Sequence, residues 1–255
     1  MVNEIFEKLS ALPQVEAIAL GGSRANGVFD EKSDYDVYVY VTDNIDNGVR
    51  ENILAPYCSQ MEIGNHYWEF EDNIILKDGV PMDIIYRPMD IFDKFISQIV
   101  FEHKANHGYT TCFWHNIITS QIVYDPSGKY AELKKKFTVP YPEELRQNII
   151  DLNMKMLSGI LPSFDKQIKK AIDRNDFVSV NHRIAAFVAS YFDVIFAVNR
   201  LTHPGEKRLV QICKERCEIL PKNFEENLDK LLKEKPTEKI MDTVADMTEK
   251  LREII

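Results

Sequence analysis

The chain has 255 residues, 45% apolar and 28% charged, enough for one large or two modest domains with a real core. Its net charge of −9 is unevenly spread: residues 1–140 carry 12 Lys/Arg against 21 Asp/Glu, while residues 141–255 carry 19 of each. A front half of that sign excludes simple coating of a nucleic-acid backbone and leaves room for cationic partners or metal ions.

Apolar spacing at Ile5, Phe6, Leu9 and Leu12 predicts a short amphipathic helix stopped near Pro13, followed by a buried strand over Val15–Leu20 that Gly21-Gly22 ends. The aromatic and β-branched run Tyr35–Val41 predicts a second strand. Residues 67–77 and 80–87 flank Asp78-Gly79, a dipeptide suited to a two-residue hairpin turn. Helices are expected over about 48–62 and 89–104, and a further strand over 117–124. From Pro140-Tyr141-Pro142 onward the pattern is helical, with Pro142 in a first turn and breaks near Leu161-Pro162, Thr202 to Gly205, Pro221 and Pro236. The apolar run 184–198 is interrupted by Ser190 and Asp193 and falls short of the ~20 residues of a membrane span, so it reads as a buried helix. The expected fold is α+β: an N-terminal α/β domain with a mixed sheet over 1–140, then an all-α bundle over 141–255.

Cys58, Cys112, Cys213 and Cys217 are too few for a disulfide scaffold, and MVNEIFEKLS lacks the basic and apolar regions of a signal peptide. A reduced, cytoplasmic protein is expected. His103 and His107 lack the Glu of a zinc-protease motif, and Cys213 and Cys217 lack a second ligand pair, so these read as surface histidines and buried thiols.

The chemistry concentrates in Gly21-Gly22-Ser23-Arg24-Ala25-Asn26-Gly27 and Ser33-Asp34-Tyr35-Asp36. Glycines between a strand and a helix let backbone N–H groups approach an anion, and Ser23 adds a hydroxyl. Asp34 and Asp36, one residue apart on a strand, point to one face, where their repulsion makes sense if Mg²⁺ bridges them. In 80–87, Met82, Ile84 and Tyr86 alternate with Asp83, which is therefore a third acid on the polar face. With a two-residue turn, Lys77 pairs with Val80, Asp83 faces Ile74, and Asp72 faces Ile85 on Asp83's side. Arg87 shares that side and offers a cation to a phosphate.

These residues resemble the DNA polymerase β nucleotidyltransferase superfamily. More narrowly, with Gly108 to His115, Tyr141 to Arg146 and 181–208, the chain is similar to bacterial nucleotidyltransferases with a helical C-terminal domain of unknown function, distant relatives of the aminoglycoside and lincosamide nucleotidyltransferases. The resemblance implies transfer of a nucleoside monophosphate, AMP first among them, from an NTP to an acceptor hydroxyl with release of pyrophosphate. It implies that Gly21, Gly22, Ser23, Arg24 and Ser33, with Arg87, serve the triphosphate, and that Asp34, Asp36 and Asp83 hold two Mg²⁺ ions. Asp83 is either a ligand of the catalytic ion or the group that takes the acceptor's proton.

The acidic catalytic half favours a small-molecule acceptor over nucleic acid, and no segment calls for a membrane. The other reading is a catalytically silent, nucleotide-sensing or antitoxin-like partner-binding module. Asp193, on an otherwise apolar helix, either pairs with an interior cation or points into a cleft between domains. His203 to Arg208 is a helix break offering either a phosphate contact or a solvated turn. Trp68, Tyr109 and Trp114 are core residues or stacking surfaces.

Overall fold

The computed structural model describes residues 1–25 and 33–255, except the side chain of Ser23. Its elements are α1 (Val2–Ser10), β1 (Val15–Leu20), α2 (Gly22–Ala25), β2 (Tyr35–Val41), α3 (Asn47–Leu54), β3 (Cys58–Asn65), β4 (Glu71–Leu76), β5 (Pro81–Pro88), α4 (Met89–Val100), α5 (Cys112–Thr119), β6 (Gln121–Tyr124) and α6 (Lys129–Phe137), then α7 (Glu143–Leu157), α8 (Phe164–Asp173), α9 (Phe177–Val198), α10 (Leu209–Arg216), α11 (Phe224–Lys233) and α12 (Glu238–Arg252). Two compact units result. One contains Met1–Ser97 and Asn116–Val139, and the other Gln98–His115 and Pro140–Ile255. The fold is α+β, a mixed-sheet domain followed by helices.

In the first unit the strands lie in the order β3-β4-β5-β2-β1-β6. β2 and β5 run parallel, whereas the other neighbours are antiparallel. One face presents Val37, Val39, Val41, Ile74, Met82, Ile84 and Tyr86 to Ile5, Phe6 and Leu9 of α1 and to Leu54 of α3. Alternation puts Asp36, Tyr38 and Tyr40, with Asp83, Ile85 and Arg87 beside them, on the opposite face. There Tyr40 packs on Tyr130 of α6 and Phe92 of α4, with ring centroids 4.6 and 5.8 Å away.

Several elements differ from expectation. The helix expected over 48–62 is α3 followed by β3, an edge strand whose middle is exposed and therefore lacks apolar alternation. Asp46 starts α3 by accepting the Gly48 N–H at 2.9 Å. The strand expected over 67–77 begins only at Glu71, and the one expected over 117–124 is β6, which starts at Gln121 because residues 117–119 close α5. The helix expected to 104 ends at Val100.

The hairpin register is the consequential correction. Gly79 N–H donates to the Leu76 carbonyl at 2.8 Å, Leu76 N–H to the Val80 carbonyl at 2.9 Å, and Gly79 takes φ +87°. The loop is thus Lys77-Asp78-Gly79, three residues rather than two. Asp83 consequently faces Asn73, and Asp72 faces Ile84. A one-residue slip turns Asp72 to the apolar face, away from Asp83.

There Asp72 is fully buried and paired with fully buried Arg50. It also accepts from the Tyr86 hydroxyl at 2.9 Å and the Gly64 N–H at 2.8 Å. Arg50 donates further to the Ile45 carbonyl and lies 4.7 Å from the ring centroids of both Phe70 and Tyr86. Burial raises the Asp72 carboxyl, and Arg50 leads the groups that oppose it.

In the helical unit, α9 is buried along most of its C-terminal half and packs against α7 and α8. Asp176 caps it by accepting the Ser179 N–H at 3.1 Å. Among the described residues Asp193 meets no interior cation. It is 1% exposed and accepts from the Thr110 N–H at 3.1 Å, the Thr110 hydroxyl at 2.6 Å and the Asn153 amide at 3.3 Å. Burial pushes its carboxyl up to about 7, against those hydrogen bonds. Trp114 is buried against Tyr141, whereas Trp68 is 90% exposed. Among the described residues no helix is long and apolar enough to cross a membrane.

Candidate active site

Two parallel strands bring the acids together. Asp36 on β2 and Asp83 on β5 are ladder partners, so their side chains share a face. Asp34 precedes β2. One oxygen from each of Asp34, Asp36 and Asp83 lies within 4.8 Å of the others, and all three residues are half-buried. Among the described residues, no other such group of three His, Cys, Asp or Glu side chains forms. Three carboxylates at that spacing repel one another, and a donor set made only of carboxylate oxygens suits a hard divalent cation such as Mg²⁺.

The glycine turn lies against this cluster. Gly21 donates its N–H to the Asp36 carbonyl at 2.7 Å. Gly22 takes φ +61°, and a Cβ there would stand 1.8 Å from Oδ2 of Asp36. Ser23's side chain, and Asn26 and Gly27 of the same segment, lie outside the described residues.

Both arginines expected to meet phosphate are engaged. Arg24 donates through Nε and Nη2 to the Ser33 carbonyl at 2.9 and 2.6 Å, and its guanidinium lies 3.8 Å from the Tyr35 ring centroid. It therefore clasps the approach to β2. Arg87 is buried and makes a two-pronged ion pair with Glu69 at 2.6 and 2.8 Å, stacked near Tyr38 and Phe92.

Sequence reasoning missed Asn73, which the register sets on Asp83's face together with Glu71. Asn73 donates to Asp83 Oδ1 at 2.7 Å. Glu71 is 6% exposed, and burial first, then Asp83 and Glu69, raise its carboxyl. An acid and an amide inside one short strand are a signal in themselves, because both are disfavoured there.

The fold thus brings a glycine turn, an Asp-x-Asp pair and a third acid on the adjoining parallel strand to one place, as the resemblance to nucleotidyltransferases leads one to expect. Residues 2–106 match the family described as the nucleotidyltransferase domain, and residues 111–209 match a domain of unknown function (DUF4037). The chain thus carries a nucleotidyltransferase domain followed by a DUF4037 domain. Three crystal structures align along nearly all of it. A nucleotidyltransferase-like protein from Exiguobacterium sibiricum 255-15 is 10% identical, with a TM-score of 0.47, over 99% of this chain and 73% of that one. An aminoglycoside 6-adenyltransferase from Bacillus subtilis is 13% identical, with a TM-score of 0.34, over 99% and 88%. The spectinomycin adenyltransferase AAD(9) from Enterococcus faecialis, solved with ATP and spectinomycin, is 13% identical, with a TM-score of 0.33, over 98% of each chain. A search of curated proteins finds no match.

Proposed function

We propose that the protein transfers a nucleoside monophosphate, AMP from ATP first, to a hydroxyl of a small-molecule acceptor and releases pyrophosphate. The observation that carries this reading is the convergence of Asp34, Asp36 and Asp83 within 4.8 Å. In it, Asp34 and Asp36 hold two Mg²⁺ ions and Asp83 completes the set. Bound there, the ions supply charge neutralisation for the triphosphate and lower the pKa of the acceptor hydroxyl.

The chain's own groups do the rest. Gly22, lacking a Cβ, leaves Asp36 its place, and Gly21, Gly22 and Ser23 take the triphosphate. Glu69 already neutralises Arg87, so we assign that arginine to holding the hairpin rather than to phosphate. Glu71 adds a further acid to the face of Asp83, which disfavours a nucleic-acid backbone and supports a small acceptor. Four free cysteines suit a reducing cytoplasm.

The test incubates the purified chain with each labelled NTP, Mg²⁺ and a cell extract. Label transfer with pyrophosphate release, lost in Asp36→Ala, is expected. Tight Mg²⁺-dependent nucleotide binding without either product would overturn the transferase reading in favour of a nucleotide-sensing module.

A further inference from the structure

Asn73 stands opposite Asp83 across the β4–β5 ladder and donates its Nδ2 to Oδ1 of Asp83 at 2.7 Å. Behind it, Nδ2 of Asn65 at the end of β3 donates to Oδ1 of Asn73. Oδ1 of Asn65 accepts from the Tyr67 N–H at 3.4 Å. The polarity of this chain follows from its end. An ionised carboxylate only accepts, so Asn73 must turn its NH₂ group to Asp83, which leaves its carbonyl oxygen needing a donor. Asn65, 8% exposed, supplies it.

An asparagine inside β4 runs against strand propensity, so it needs a compensating interaction. The amide relay is one, and it ends on a cluster acid. A carboxylate has about four acceptor sites, of which the Asn73 bond uses one, so Asp83 is restrained in rotation while keeping oxygen sites for a cation.

We infer that Asn73, held by Asn65, is the positioning residue that fixes the Asp83 carboxylate for a divalent cation shared with Asp34 and Asp36. This rests on the reading of those acids as a metal site. Partners of that kind, which orient a ligand without touching the ion, typically matter by about 10–100-fold in metal affinity.

The experiment titrates Mn²⁺ into the full-length protein without nucleotide, following free Mn²⁺ by electron paramagnetic resonance, and records urea midpoints alongside. Asn73→Leu, near in size but without the donor, weakens Mn²⁺ binding about tenfold or more. Asn73→Ser, which keeps a shorter donor, weakens it less, and Asn65→Ala, which frees the amide to turn, shifts it in the same direction. Urea midpoints stay near wild type. Should Asn73→Leu not fold, Asn73→Ser and Asn65→Ala decide. Wild-type Mn²⁺ affinity in the Asn73 variants, with affinity lost in Asp36→Ala, overturns the inference and leaves the metal site standing. Undiminished affinity in Asp36→Ala overturns both.

Discussion

Gly22 and Asp36 occupy space that only one side chain can fill, since a Cβ on Gly22 would stand 1.8 Å from the Asp36 carboxylate oxygen. Gly22→Ala therefore displaces Asp36 and adds backbone strain of about 1–2 kcal/mol at φ +61°. The expected result is loss of Mn²⁺-dependent ATP binding by about tenfold or more. Gly79→Ala is the control: it shares the positive φ, but its Cβ would meet nothing within 4 Å. It should cost comparable stability and leave ATP binding intact. Equal ATP affinity in both variants would show that the Gly22 approach has no bearing on the site.

Asp83→Asn keeps the volume of the side chain and removes its charge. In the proposed function Asp34 and Asp36 remain to hold a nucleotide-bound cation, so ATP affinity should change only a few-fold. If the third acid takes the acceptor's proton, turnover should fall by about 100-fold or more. Calorimetry of ATP binding beside labelled transfer separates the two. A matching loss of both would make Asp83 chiefly a ligand for the nucleotide's own cation.

Asp72 and Asp83 lie on strands that pair, yet the three-residue hairpin loop sends them to opposite faces. Truncating Asp72 to Ala leaves Arg50 buried without its carboxylate, which should cost about 3–5 kcal/mol. Asp83→Ala, by contrast, relieves repulsion among three acids and should leave stability unchanged or slightly raised. Urea unfolding of both variants checks the register. Equal destabilisation would mean that the two acids share an environment.

What the sequence showed of the site was local. Gly22, Asp34, Asp36 and Asp83 are readable because side chains alternate along a strand and a glycine turn carries its own pattern. Asp72 was not readable in the same way. Its face depends on whether the loop at Asp78-Gly79 holds two residues or three, and that dipeptide serves both. β3 was missed for a different reason: an exposed edge strand does not need the apolar alternation by which strands are recognised. Asn73 had meaning only once β4 was in register with β5. The partners of Asp193 were equally hidden, since Thr110 lies 83 residues away in sequence.

Asp193 should make stability fall as pH rises through the weakly acidic range. Its carboxyl is raised from 3.8 to about 7 by burial, so between those values the folded state holds a proton that the unfolded state has released. Its favourable contribution is complete below about pH 4 and is lost by about pH 7. The full penalty is a few kcal/mol, because each tenfold change in proton affinity between the two states corresponds to about 1.4 kcal/mol. Asn at this position can accept the Thr110 N–H without ionising, so Asp193→Asn should erase that slope and be the more stable protein at pH 8. Burial acts oppositely on His115 and His203, lowering them to about 4 and about 3, and their protonation on unfolding costs stability as pH falls below 6.5. Comparing urea midpoints of wild type and Asp193→Asn from pH 4.5 to 8 isolates the carboxyl, because both proteins keep the histidines. A difference between them that does not change with pH would mean that Asp193 stays ionised in the fold.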